Sequence, residues 1–169
     1  MVHVFAGDVL AVRSSGFAAE MIRLGAALAG KPDISNHIAV VHHTDGKGVT
    51  WCLEGRPGGV GWRNAADYLN SHWTLDNAAQ PKTPEQRETV CKAAEAMLAT
   101  RYDWAAIVGD GLADLHLWDP VDGQVHGETV CSALAAYAYD QAGLLRPAGG
   151  ERLVQPADWD QFMITRAWE

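Results

Sequence analysis

The spacing of apolar and polar positions along the chain changes character several times, and each change marks an element. Residues 2–13, VHVFAGDVLAVR, read as a first strand interrupted at Gly7-Asp8. Ser14-Ser15-Gly16 then opens a helix. Phe17, Met21, Leu24 and Leu28 recur there at helical spacing and predict a buried stripe, which Gly30 and Pro32 bring to an end. RPGGVGWRNAADYL supplies a Gly-rich turn and a short helix, and Thr74 to Lys82 reads as a loop. Thr83-Pro84-Glu85-Gln86 is a strong helix start: a capping threonine, proline at the first position and glutamine closing a capping box. That helix is expected to reach about Thr100. Asp103 caps a further helix, WAAIVGDGLADLHLW, and Asp119 to Gly123 form a turn. Val130 to Ala142 predict another helix, with Gly143 as its C-terminal cap. Glu151–Val154 and Met163–Trp168 read as late strands. Strands and helices mix without regular βαβ alternation, so the expected class is α+β, in one domain over residues 1–169.

Between Ile34 and Gly55, in ISNHIAVVHHTDGKGVTWCLEG, the apolar alternation predicts a hairpin. Asp45-Gly46 is the preferred pair for a two-residue type I′ turn. With that turn Thr44 faces Lys47, His43 faces Gly48, Val41 faces Thr50, Ala39 faces Cys52 and His37 faces Glu54. Facing side chains share one side of the sheet, with Cβ atoms about 4.5–5.5 Å apart. The predicted core face carries Ile38, Val40, His42, Val49, Trp51 and Leu53. The other face ends in an imidazole beside a carboxylate, an arrangement that fixes the tautomer and stabilises the imidazolium. A solvated edge pair is the plain alternative. A three-residue loop would instead send Glu54 to the opposite face.

The missing nucleophile has a candidate in GETVCSAL. Thr129 can cap the helix there, placing Cys131 in its first turn, where unpaired N–H groups and the helix dipole favour a thiolate and could receive an oxyanion. Cys91 lies inside a helix and reads as packed, and Cys52 has no helix terminus to activate it. With three cysteines and no Cys-x-x-Cys pair, neither a full disulfide framework nor a zinc ribbon is expected.

Composition narrows the partners. The chain of 169 residues is 48% apolar and carries a formal charge of −8 without a Lys/Arg run, which argues against nucleic acid. The start, MVHVFAGDVLAV, lacks the pattern of a signal peptide, and no apolar run approaches the roughly 20 residues of a membrane span. The expectation is a chain that is cytoplasmic as synthesised and not integral to a membrane.

The ordered set GDVL, NHIAVV, WCLEG, RYDW and ETVCSAL resembles the circularly permuted branch of the NlpC-type cysteine peptidases, which is related to the lecithin retinol acyltransferase group. The resemblance spans Gly7 to about Gly143, and its specificity lies in the order and spacing of short motifs. It implies a papain-like fold with an antiparallel sheet against helices and the histidine hairpin ahead of the cysteine helix. By resemblance Cys131 is the nucleophile, His37 the general base and acid, and Glu54 the orienting group. Tyr102 in RYDW matches a tyrosine that would bring a hydroxyl near the oxyanion. Asp8 in GDVL would support the site or form a turn. The resemblance implies no metal and no organic cofactor. Its substrate class is a peptide amide, first a bacterial cell-wall peptide, or alternatively a lipid acyl group. Trp62 and Trp73 could line the cleft. Cell-wall action would require delivery by other means than a signal peptide.

Two rivals stand beside this reading. His37, His42, His43 and Cys52 could form a metal site, although neighbouring His42 and His43 are expected on opposite faces of a strand. Alternatively, the chain could be a non-catalytic binding or assembly module within a larger particle, such as a phage. His116 and His126 precede the cysteine helix and could replace His37 as base if the hairpin register fails. His3 and His72 read as surface or strand residues.

Overall fold

The computed structural model describes residues 4–15, 17–28, 30–31, 34–56, 58–68, 72–76, 82–102, 128–129, 131–147 and 154–166. The class is α+β. Five strands, β1 (Val9–Arg13), β2 (His37–Thr44), β3 (Thr50–Arg56), β4 (Gly59–Asn64) and β5 (His72–Asp76), form an antiparallel sheet in the order β4-β3-β2-β1-β5. The helices are α1 (Phe17–Leu28), α2 (Pro84–Ala96), α3 (Cys131–Gln141) and α4 (Pro156–Arg166), with a 3₁₀ turn at Ala65–Tyr68. A short parallel pair, β6 (Arg101–Tyr102) and β7 (Glu128–Thr129), forms a second sheet beside β4.

Both faces of the sheet are covered. Val9, Ala11, Ile38, Val40, Leu53 and Val60 cluster with Val90 and Ala94 of α2, Leu134 and Tyr139 of α3, and Trp159 of α4. On the opposite face Leu10, Val12, Ala39, Val41 and Cys52 pack against Tyr68. The hairpin face expected to be a polar edge is therefore buried as well. That second layer is what makes an acid beside His37 a buried group.

Local signals explain most boundaries. Thr83 Oγ1 accepts from Gln86 N at 3.2 Å and Gln86 Oε1 accepts from Thr83 N at 3.0 Å, the expected capping box, though α2 stops at Ala96. Gly143 has a φ of +63°, and Leu144 N donates to Tyr139 O at 3.0 Å, which closes α3 as expected. Gly59 meets the main chain after α2 so closely that an added Cβ would lie 2.6 Å from Thr100 O.

Other expectations fail. Thr74 to Lys82 begins inside β5, whose backbone pairs with β1 along its whole length. The segment from Met163 belongs to α4 and is not a strand as far as Arg166. Pro156 opens that helix and Asp158 Oδ2 accepts from Gln155 N at 2.8 Å, a start signal of the same kind as at Thr83. In α1, Leu24 and Leu28 are exposed and Ala26 is buried, so those two leucines do not lie on the packed side. The hairpin register also differs, as described below. The helix expected after Asp103, the Asp119–Gly123 turn, His3, His116 and His126 lie outside the described residues.

Candidate active site

The hairpin closes with a loop other than type I′. Asp45 N donates to Val49 O at 2.9 Å and Gly48 N to Asp45 O at 3.0 Å, leaving Gly46, Lys47 and Gly48 as a three-residue tip. Gly48 takes the positive φ, +82°, while Gly46 does not. The Asp45 carboxylate holds this loop, accepting from Lys47 N at 2.8 Å, Val49 N at 3.0 Å and the Trp51 indole at 3.2 Å. Thr44 consequently faces Thr50 and His43 faces Trp51.

Continued without interruption, that register would set Glu54 opposite Val40, on the helix-covered face. A bulge at His42 intervenes. Beyond it Val41 faces Cys52 and Val40 faces Leu53. The extra residue of the loop and the extra residue of the bulge cancel. Glu54 returns to the face of His37, though diagonal to it rather than opposite. A diagonal pair is still within reach of long side chains, and His37 Nε2 lies 2.7 Å from Glu54 Oε2.

The start of β2 is anchored from three directions. Asn36 N donates to Val12 O at 3.0 Å, and the Asn36 side chain both accepts from Ser14 N and donates to Ser14 O, each at 2.9 Å. Ser35 N donates to Asp160 of α4 at 2.8 Å. The first turn of α3 is fastened to the same helix and to the chain just before it: the Trp159 indole donates to Ser132 O at 3.3 Å and Ser132 Oγ donates to Val154 O at 2.5 Å. One helix thus ties down both His37 and Cys131.

Cys131 is the first residue of α3, buried, and within hydrogen-bonding reach of the His37 ring. Glu54 occupies Nε2, which leaves Nδ1 for the thiol. The strand pairing of β2 with β3 runs only as far as Val40 and Leu53, and beyond it Ile38 N–H is close enough to Cys131 to favour its thiolate. Burial alone would push the thiol pKa up. The His37 charge and hydrogen bond, helped by Ile38 N–H, outweigh burial and bring it below the ordinary value. Burial likewise pulls His37 down, but the Cys131 thiolate and then Glu54 overcome it and raise His37 to about 9. Glu54 is raised by burial yet ends below its ordinary value, because His37, Arg56 and Arg63 all favour its ionised form. The result is a thiolate–imidazolium pair backed by a carboxylate.

The other thiols contrast with this. Burial raises Cys52 to about 12 and Cys91 to about 11, as fits packed neutral residues. None of the three forms a disulfide.

Asp8 lies away from this cluster. Asp8 is fully buried and accepts from Phe5 N at 2.9 Å and Arg87 Nη1 at 2.8 Å, with Lys82 Nζ at 3.7 Å. Val41 N donates to Asp8 O, so Asp8 is level with Val41, roughly 13 Å along β2 from His37. It fastens β1 to α2 and belongs to the fold. Tyr102 pairs through its backbone with Thr129, two residues before Cys131, while its hydroxyl lies outside the described side chains. Trp73 sits in β5 with its side chain also outside them. Trp62 is partly exposed and meets His42 and His43 edge-on, at 4.8 and 5.7 Å between ring centroids.

The bulge also corrects the expectation for the two neighbouring histidines. His42 and His43 do not diverge: their Nδ1 atoms lie 3.0 Å apart. Among the described residues, no group of three or more His, Cys, Asp or Glu could hold a metal ion. No helix among them is long and apolar enough to cross a membrane.

Sequence reasoning missed Arg56, Arg63, Tyr68 and Asp160. Arg56 and Arg63 both donate through Nε to Glu54 Oε1, Arg63 at 3.0 Å. Their strand positions share a face with Glu54, so parity alone could have found them. The chain matches no protein-family model and no curated protein.

Proposed function

We propose that this protein is a cysteine hydrolase of permuted papain-like fold that cleaves an amide bond, with bacterial cell-wall peptides as the first substrate class. The observation that carries the reading is the Cys131 thiol, lowered in pKa at the start of a helix, in contact with a buried His37 that Glu54 holds at 2.7 Å. The motif order of the permuted NlpC-type peptidases agrees with it.

In the mechanism, the Cys131 thiolate attacks the carbonyl carbon and the displaced electron pair moves to oxygen. Cys131 opens α3, where first-turn N–H groups lack an intrahelical acceptor, and its N–H is the donor this mechanism assigns to that oxyanion. As the tetrahedral centre collapses, the His37 proton goes to the leaving nitrogen and a thioester remains. The neutral imidazole then takes a proton from water, whose hydroxide expels the thiolate and restores the ion pair. Both protonation states are needed. Activity therefore rises as Cys131 ionises, below the usual thiol range of about 8.5, and falls as His37 loses its proton near pH 9.

Alkylation with iodoacetamide followed by peptide mapping tests the first step. Cys131 reacts at lower pH than Cys52 and Cys91, which stay inert, and Cys131→Ala abolishes turnover on a panel of wall-peptide amides and acyl esters. Equal labelling of all three thiols, or activity surviving in Cys131→Ala, overturns the proposal. The panel also separates the amide from the ester substrate class.

A further inference from the structure

Glu54 divides its two oxygens between opposite demands. Oε2 meets His37 Nε2 at 2.7 Å, while Oε1 accepts from both Arg56 and Arg63. The acid is buried and the two arginine side chains are each 39% exposed. A carboxylate alone behind an imidazole would strengthen its hold on the proton. Here two guanidinium charges share that carboxylate.

The remaining groups around it can be named. Asp67 Oδ2, from the 3₁₀ turn, accepts from Arg63 Nη1 at 3.4 Å. The Tyr68 hydroxyl accepts from Arg56 Nη2 at 3.4 Å, and its ring lies 6.3 Å from that of His37. The neutral Cys52 thiol is a strand neighbour, and Cys131 stands across the imidazole. Two acids, Glu54 and Asp67, thus balance two arginines. The charge left to face the imidazolium is the Cys131 thiolate.

We infer that Arg56 and Arg63 are positioning residues that pin Glu54 by one oxygen and weaken its pull on the imidazolium, so that His37 depends chiefly on the Cys131 thiolate for its affinity for a proton. The catalytic meaning of this rests on the proposed hydrolase. Once the Cys131 sulfur bonds to the carbonyl carbon its charge is gone, and the imidazolium is left beside an acid whose charge the two arginines share. As the tetrahedral centre collapses to the thioester, Nδ1 releases its proton to the leaving nitrogen, and it is then a free base for the incoming water. The water gives up one proton to Nδ1, its oxygen bonds to the acyl carbon, and sulfur departs with its electron pair.

NMR titration of His37 tests the inference without any substrate. The wild-type protein is compared with protein carboxamidomethylated at Cys131, a neutral adduct. Alkylation lowers the His37 midpoint from about 9 by on the order of one unit or more. In alkylated Arg56→Gln and Arg63→Gln proteins the midpoint rises again, and alkylated Arg63→Lys, which keeps the charge, titrates like alkylated wild type. Thermal unfolding verifies that each variant is folded. An unchanged midpoint on alkylation, or identical midpoints in the alkylated wild type and both glutamine variants, overturns the inference. If Cys131 resists selective alkylation, the hydrolase reading falls. The arginine role is then read from Cys131→Ala with and without Arg63→Gln, where the same shifts sustain it and their absence overturns it.

Discussion

At Glu54 the site places a charge where burial alone would forbid it. The cost is met by three donors, so removing the charge exposes what they hold. Glu54→Gln keeps the shape and loses the ion pairs, and is expected to destabilise the fold by about 1–3 kcal/mol at neutral pH. The sign with pH follows from the lowered pKa of Glu54. Its contribution is present above the unfolded glutamate value of about 4.3 and is lost as pH falls through the lower folded value. Urea unfolding at several pH values checks this: the gap between wild type and variant narrows toward acid. Cys131, His37 and Glu54 were legible in the sequence because each carries its own chemistry and sits at a recognisable place, a helix start or one face of a hairpin. Arg56 and Arg63 were not, since an arginine on a strand is unremarkable until its partner is known.

Among the elements, the hairpin shows how a strong local signal can point to the right pair through the wrong geometry. Asp45-Gly46 favours a two-residue turn, but the Asp45 carboxylate has better partners in Lys47 N, Val49 N and the Trp51 indole. A dipeptide rule has no access to an indole six residues away. The two geometries make different demands on the glycines. Gly46 needs no positive φ and has open space around it, so Gly46→Ala is expected to stabilise by about 0.4–1 kcal/mol. Gly48 does need one, and Gly48→Ala is expected to cost about 1–2 kcal/mol. Thermal denaturation of the two variants decides between the loops, since a type I′ turn would penalise Gly46→Ala. The helix at Pro156–Arg166 carried its start signal in plain view. The strand expected at Met163–Trp168 rests on too short a window to separate the two periods.

Across the whole molecule, the site depends on the distance between two layers. Trp159 is fully buried, packs edge-on against Tyr139 at 5.2 Å and Phe162 at 5.8 Å, and bonds to the first turn of α3. Trp159→Ala is expected to cost about 3–5 kcal/mol and to slow alkylation of Cys131 even where the protein remains folded. Leu24→Ser and Leu28→Ser, on the exposed side of α1, are each expected to stay within about 0.5 kcal/mol. Denaturant midpoints and labelling rates measure both. The α+β class followed from the mixed order of elements, whereas the second buried layer under Tyr68 did not, because Ala39, Val41 and Cys52 are small enough to pass for an edge. The bulge at His42 carries a consequence for ancestry. It can absorb a residue gained or lost at the hairpin tip without disturbing the strands below. Among descendants of this sequence, insertions and deletions should therefore collect between His42 and Val49, while the stretches from His37 to Val41 and from Cys52 to Glu54 keep their length.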